Sequence, residues 1–357
     1  MNNNNYERGK LKTGSESQNR YASSHTAHYR KVSNIAIIVA ILALIAVTCL
    51  IFSAFWEEFL PVWNVEENLE QPSSKPSYIA SEGGDDLSDV YLYSEYAILI
   101  KVSDMTTIAH QGADTVIYPA SMTKVMTVLV ALDHIENLDD EYVINEDAIN
   151  QMDPESSNAG LKYYIGRKVS VRDLLYGVSY ESAADSVFCL IDYLGFTMKD
   201  FVSLMNEKAK EIGMQNTRFG GAIGMDYEEN QTTCRDIAGM MVYAMENPLC
   251  RELFGGTKYE VSTMNKTYYN GTLWTTVNDF DTIDFNATPE NIVAGYNLLA
   301  AKSGYEINAG YCLVSYLEND RTGEKFVLVT ANAPHDKSPY RRARILDMQT
   351  LFDLFQP

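Results

Sequence analysis

The sequence predicts an α+β domain: an antiparallel sheet assembled from both ends of the chain, with a helical subdomain between them. Three observations predict it. Strand-like runs come early, at Val90-Tyr91-Leu92-Tyr93 and Ala97-Ile98-Leu99-Ile100. Segments with helical spacing of apolar residues fill the middle, from Ser121 to Glu246. Strand-like runs return at Ala309–Leu317 and Lys325–Ala331. Strands, then helices, then strands again is an α+β order, not one of alternating βαβ units.

Before the first strand the chain changes character twice. Its formal charge is −20 over 357 residues, but the first 56 residues carry six Lys/Arg against Glu7 and Glu16, so the remainder stands at −24. So acidic a body lacks the basic footprint that nucleic acid needs and is repelled by anionic lipid. Residues 1–33 are polar and rich in Asn and Ser, as expected of a disordered cytoplasmic tail. Residues 34–56 carry no charge, and Ile35 to Phe55 is almost wholly apolar, so a transmembrane anchor is expected there. Basic residues precede the span and Glu57, Glu58, Glu66 and Glu67 follow it, which places the N-terminus in the cytoplasm and the rest outside the cell membrane. A cleaved signal peptide is the competing reading, but the tail is long and no small-x-small site follows the span. Residues 57–88 contain Pro61, Pro72, Pro76, Gly83 and Gly84 without periodicity and are expected to form a linker, with one folded domain over 89–357.

The elements of that domain follow in order. Ala97–Ile100 and a strand around Thr107–His110, joined by a polar turn at Ser103-Asp104, make a hairpin. Pro119 opens a helix whose Val125, Val128, Leu129, Leu132 and Ile135 share one face. Ser170-Val171-Arg172-Asp173 resembles a capping box ahead of Leu174, Leu175 and Val178. Tyr180-Glu181-Ser182 interrupts that helix, and another fits Ala183 to Leu194 with Gly195 as its stop. Helices over Lys199–Ile212 and Thr233–Glu246 complete the block. Ala309–Leu317 and Lys325–Ala331 then flank a polar turn, with Lys302-Ser303-Gly304 at the start of this late hairpin, and a helix over Arg341–Leu354 closes the chain. Cys189, Cys234, Cys250 and Cys312 match no zinc spacing and the five histidines form no ligand pattern, so no metal or cofactor is indicated. Those cysteines are either paired or buried thiols, and Asp185 and Asp236 are expected to cap or pair structurally.

The chemistry is carried by Pro119-Ala120-Ser121-Met122-Thr123-Lys124. Lys124 is the one charged residue between Asp114 and Asp133, and one helical turn sets it on the side of Ser121. A hydroxyl in a first turn lies in the positive field of the helix N-terminus, which favours a developing oxyanion. A lysine in apolar surroundings loses proton affinity and can serve as base to that hydroxyl. Ser-x-x-Lys alone is a weak pattern; Ser182, in the break between two helices, and Lys302-Ser303-Gly304 strengthen it.

In this order the set resembles the serine D-alanyl-D-alanine carboxypeptidases of the penicillin-binding class. Tyr118–Thr127, Asp173–Gly177, Phe201–Gly213, Gly224-Met225-Asp226, Thr232–Asp236 and Ala309–Leu313 also read like that family, and the likeness spans about residues 90–355. The resemblance implies a β-lactamase/transpeptidase-like fold. It implies removal of the terminal D-alanine from peptidoglycan stem peptides through an acyl-enzyme, with β-lactam antibiotics as covalent inhibitors. By position it makes Ser121 the nucleophile, Lys124 its base and Ser182 the relay to the leaving amine. Lys302 and Ser303 would hold the substrate's terminal carboxylate, Gly304 would let the ligand approach the strand, and the N–H groups of Ser121 and Tyr305 would form the oxyanion hole. The chain departs from the pattern in three places. The second motif, usually Ser-x-Asn, reads Ser182-Ala183-Ala184; Ser303 stands where threonine is commoner; and Arg341, Arg342 and Arg344 all compete for the family's late arginine. The Ala184 departure keeps open a catalytically impaired wall-binding or scaffold protein. A β-lactamase is disfavoured because Asn145–Gly160 has no Glu-x-x-Leu-Asn.

Overall fold

The computed structural model describes residues 42–44, 48, 77–226, 229–270, 292–334 and 343–355. The expected tail, nearly all of the expected span over 34–56 and the linker up to residue 76 lie outside the described residues. Among those described, no helix is long and apolar enough to cross a membrane. The chain divides between Ser73 and Ser74 into two units, and the second holds every element named below.

Six strands form the main sheet, in the order β1-β3-β2-β10-β9-β8. The early strands are β1 (Asp85–Asp86), β2 (Tyr96–Lys101) and β3 (Thr106–Gln111); the late ones are β8 (Tyr296–Glu306), β9 (Gly310–Asn319) and β10 (Lys325–Ala333). The two ends of the chain meet where β10 runs antiparallel to β2, with Leu328 opposite Leu99. Every pairing is antiparallel except that of β1 with β3. The central strands are apolar on both faces, and the alternation of side chains sorts them into two cores. Ile98, Ile100, Val314, Val327 and Val329 join the large core shared with the helical block. Ala97, Leu99, Leu313, Leu317 and Leu328 join a smaller one with Ile345, Met348, Leu351 and Phe352 of the last helix, Ala343–Leu354.

Between the early and late strands lie α1 (Thr123–His134), the two-stranded ladder of β4 (Glu141–Val143) and β5 (Lys168–Ser170), and the short α2 (Glu146–Ile149). These lead to α3 (Val171–Tyr180), α4 (Ala184–Tyr193), α5 (Met198–Ile212), α6 (Cys234–Glu246), α7 (Pro248–Gly255) and a hairpin of β6 (Lys258–Glu260) with β7 (Thr267–Tyr269). The expected helices are present, and local chemistry explains their starts. Ser170, Thr197 and Thr233 each accept the N–H three residues on, from Asp173, Asp200 and Asp236. Gly213, at φ +99°, ends α5 in the left-handed region.

Four expectations are corrected. Val90–Tyr93 is not a strand: the N–H groups of Tyr93 and Ser94 donate to the Asp347 carboxylate of the last helix at 2.7 and 2.9 Å. Lys302-Ser303-Gly304 does not stand at the start of a two-stranded hairpin; it lies inside β8, which pairs with β9 along its whole length. The described part of the expected linker, from Ser77, is packed on the domain: Ala80 and Leu87 are buried, and Arg235 donates to the carbonyls of Ala80 and Ser81. Finally, α1 is not one-faced, because Thr123 to Ala131 are all buried. It is the central helix of the block, covered on every side.

Candidate active site

The site is built where the N-terminus of α1 meets the edge strand β8. Pro119 leads into a 3-10 turn, Ala120–Met122, that runs directly into α1 and carries Ser121. One turn on, Lys124 is 3% exposed. Its Nζ donates to Ser121 Oγ at 2.9 Å and to the Ile223 carbonyl at 2.7 Å. Burial pushes the Lys124 amine down to about 7, against a weaker upward pull from Glu306. In the neutral form the amine keeps its donation to Ile223 and turns its lone pair to the Ser121 hydroxyl, the geometry of a base poised on a nucleophile. The Ile223 loop is fixed by Thr127 Oγ1, which donates to Ala222 O at 2.6 Å. It is also fixed by close packing of Gly224, where a Cβ would fall 2.0 Å from Ala120 O.

The second pair spans 120 residues of sequence: Lys302 Nζ donates to Ser182 Oγ at 3.0 Å and to Ser303 O at 2.9 Å. Lys302 is 1% exposed, and burial, then the charges of Lys124 and Arg344, hold its proton affinity well below the usual lysine range. The two pairs are joined through Gly304, at which a Cβ would lie 2.9 Å from Ser121 N and 2.8 Å from Ala120 Cβ. Glycine therefore lets the β8 backbone come within contact of the turn that holds Ser121. Ala120 (φ +45°) and Ser182 (φ +54°) both occupy the left-handed region, which costs a non-glycine residue about 1–3 kcal/mol. Such conformations persist where the surrounding packing enforces them, and here both fall on the site.

The remaining expected residues flank this centre. Ser303 is half-buried, and the exposed Tyr305 packs against Tyr311 in a tilted arrangement with ring centroids 4.5 Å apart. Of the three late arginines, Arg341 and Arg342 lie outside the described residues. Arg344 sits over Tyr311 and donates to Cys312 O at 3.4 Å, on the strand beside Lys302. Ala184 is buried and heads α4, its N–H donating to Ser157 O at 2.7 Å. Asp185 and Asp236 are structural: Asp185 accepts the N–H groups of Ala159 and Leu161, and Asp236 those of Asn216 and the Thr217 hydroxyl. The four cysteines are free and buried, and burial pushes the Cys189 thiol up to about 12 and the Cys312 thiol to about 11. A cleft of about 910 Å³ between α5 and residues 217–220 shares no residue with the centre. One participant was not foreseen, the Ile223 carbonyl, which carries no sequence signal. Glu306, two residues beyond Gly304 on β8, adds only its upward pull on Lys124.

Residues 86–335 match the D-alanyl-D-alanine carboxypeptidase family. The chain belongs to that family. Among its relatives is the D-alanyl-D-alanine carboxypeptidase DacF of Bacillus subtilis, 25% identical over 74% of this chain and 64% of that protein. A D-alanyl-D-alanine carboxypeptidase of Streptomyces sp. strain K15 is 29% identical over 58% of this chain and 71% of its own length. DacC of Escherichia coli is 30% identical over 57% of this chain, which spans only 52% of that enzyme. Among solved structures, a mutant of the Streptomyces K15 DD-transpeptidase superposes with a TM-score of 0.62 at 25% identity, covering 74% of this chain and 97% of that one. A D-alanyl-D-alanine carboxypeptidase from Mycobacterium tuberculosis shares the fold with a TM-score of 0.59 at 21% identity, over 80% and 96% of the two chains. The α+β, transpeptidase-like fold implied by the motifs is thus the fold of this domain.

Proposed function

We propose that the protein is a serine-type D-Ala-D-Ala carboxypeptidase of the cell surface, held by an N-terminal membrane helix and acting on peptidoglycan stem peptides. Ser121 Oγ attacks the carbonyl of the penultimate D-alanine while its proton passes to neutral Lys124. The C–N bond breaks, the leaving amine of the terminal D-alanine takes a proton through Ser182, and water then hydrolyses the ester on Ser121. Lys302 and Ser303 hold the terminal carboxylate, with Arg344 adding positive potential beside them. The N–H groups of Ser121 and Tyr305, on backbones that Gly304 brings together, face the oxyanion. The observation that carries this reading is the 2.9 Å contact of Ser121 Oγ with a sealed lysine whose proton affinity is already near neutral.

The test is mass spectrometry after treatment with a penicillin, combined with D-alanine release from a diacetyl-Lys-D-Ala-D-Ala substrate. The acyl adduct is expected on the peptide containing Ser121, and Ser121→Ala should abolish it in a protein that still folds. An adduct elsewhere removes the mechanism. Wild-type D-alanine release no faster than that of Lys124→Ala, with no adduct in either, turns the reading towards a non-catalytic wall-binding protein.

A further inference from the structure

α1 carries Lys124 and, three residues on and on the same side of the helix, Thr127. Both reach across to the bend at Ala222 and Ile223. Lys124 Nζ donates to Ile223 O at 2.7 Å, and Thr127 Oγ1 donates to the carbonyl just before it, Ala222 O, at 2.6 Å. The two carbonyls flank a single residue, Ile223, so α1 fixes the peptide planes on both sides of it. A threonine inside a helix commonly turns its hydroxyl to the carbonyl four residues back. Here that carbonyl, Thr123 O, lies 3.4 Å away, so the one hydroxyl proton of Thr127 goes across to the loop instead. Thr127 and Ala222 are both fully buried, where an unpaired carbonyl is costly and bulk water cannot replace the hydroxyl. Further along, Asn230 Nδ2 donates to Met225 O at 2.9 Å and Asp226 Oδ2 accepts the Asn308 N–H at 2.7 Å. Thr127 is thus the tie that stands next to the carbonyl gripping Lys124.

We propose that Thr127 is a positioning residue for acylation: through Ala222 O, its hydroxyl holds the Ile223 carbonyl where that carbonyl keeps the amine of Lys124 aimed at Ser121 Oγ. The inference rests on the proposed role of Lys124 and deepens it. As a base, Lys124 takes the Ser121 proton on its lone pair, and the direction of that lone pair is set by where its own N–H groups donate. Among the described residues its Nζ hydrogen-bonds to two atoms, Ser121 Oγ at 2.9 Å and Ile223 O at 2.7 Å. The hydroxyl is the reacting partner, so the carbonyl is the anchor. Without the Thr127 hydroxyl, Ala222 O is left buried and unpaired, and its peptide turns towards another donor. Because Ile223 alone separates the two carbonyls, that turn carries Ile223 O off Lys124 and frees the amine to rotate. Thr127 is sealed beneath the site and out of the substrate's reach, so its loss falls on the chemical step and not on binding.

The experiment follows acylation of the full-length protein at increasing benzylpenicillin concentration, which separates the limiting acylation rate from the concentration that half-saturates it. Thr127→Val keeps the branched shape and removes the hydroxyl. Its limiting rate should fall by about 10- to 100-fold, the scale of a small displacement of a reacting group, at an unchanged half-saturating concentration. Thr127→Ser restores the donor and should bring the rate back close to that of wild type. If Thr127→Val does not fold, Thr127→Ala against Thr127→Ser decides: the two differ by the hydroxyl oxygen alone, and the alanine variant should be slower by the same factor. A valine or alanine variant that acylates as fast as wild type, or a serine variant that is just as slow as they are, marks a packing role and overturns the inference. So does a loss confined to the half-saturating concentration. No acylation in wild type overturns the functional reading itself, and this inference with it.

Discussion

At Ala184 the family's asparagine would meet a closed wall. The residue is 1% exposed, its N–H is committed to Ser157 O, and the Ser157 segment is held over it by Asp185, which takes the N–H groups of Ala159 and Leu161. A carboxamide added to a residue this buried must displace its neighbours, and overpacking typically costs about 1–3 kcal/mol. Ala184→Asn is therefore expected to lower the melting temperature by several degrees without speeding penicillin acylation. Faster acylation with unchanged melting would show that the donor is missed and the pocket can open. Asp173 teaches a similar lesson. Ser170-Val171-Arg172-Asp173 does cap α3 through the Ser170 hydroxyl, but the carboxylate is spent elsewhere. It accepts from Tyr259, Ser262 and Thr263, fastening the β6–β7 segment to the helix. A local motif announces the helix start, whereas the second half of a capping box is decided by whatever packs beside it.

The element that decides the site is β8. Its Ala300-Ala301-Lys302-Ser303-Gly304 core is small and polar and has weak strand character, so its strand identity comes from ten paired positions on β9, from Tyr296–Asn319 to Glu306–Gly310. Only as a strand does it set Lys302, Gly304 and Glu306 on one face and carry them across the end of α1. Gly304 is the point of closest approach. In Gly304→Ala the added methyl falls within 3 Å of Ala120 Cβ and Ser121 N, neither of which is a flexible tip, so strand and nucleophile must part. Displacement of a reacting group by about 1 Å can cost 10²-fold in rate. Acylation is expected to drop by about that factor in a protein with native circular dichroism, as measured by stopped-flow reaction with a chromogenic cephalosporin. Acylation within twofold of wild type would show that the two backbones can separate without harm. Val90–Tyr93 is the opposite case: its residues favour strands, yet two N–H groups bind Asp347 and no ladder forms.

At the scale of the whole molecule, helices cover one face of the sheet and the last helix the other, so the central strands are apolar on both sides and read as continuous runs. The proposed orientation belongs to this scale. Protease added to intact cells should release the domain after Trp56 and leave residues 1–33 protected; the reverse pattern would invert the topology. Short-range physics made much of the molecule legible from sequence. A Ser or Thr reaching the N–H three residues on, a glycine free to take positive φ and a 3.6-residue apolar period act within one or two turns, and they marked the helices and put Ser121 and Lys124 side by side. The family motifs then named Ser182 and Lys302 as their companions. What only the tertiary structure decided depends on segments far apart in the chain. Lys302 reaches Ser182 across 120 residues, Ile223 offers its carbonyl to a lysine 99 residues away, and Glu306 comes into the field of Lys124. The charge state of Lys124 follows from that assembly, because desolvation and Coulomb fields are set by everything that encloses a group and by nothing in its own short stretch of sequence.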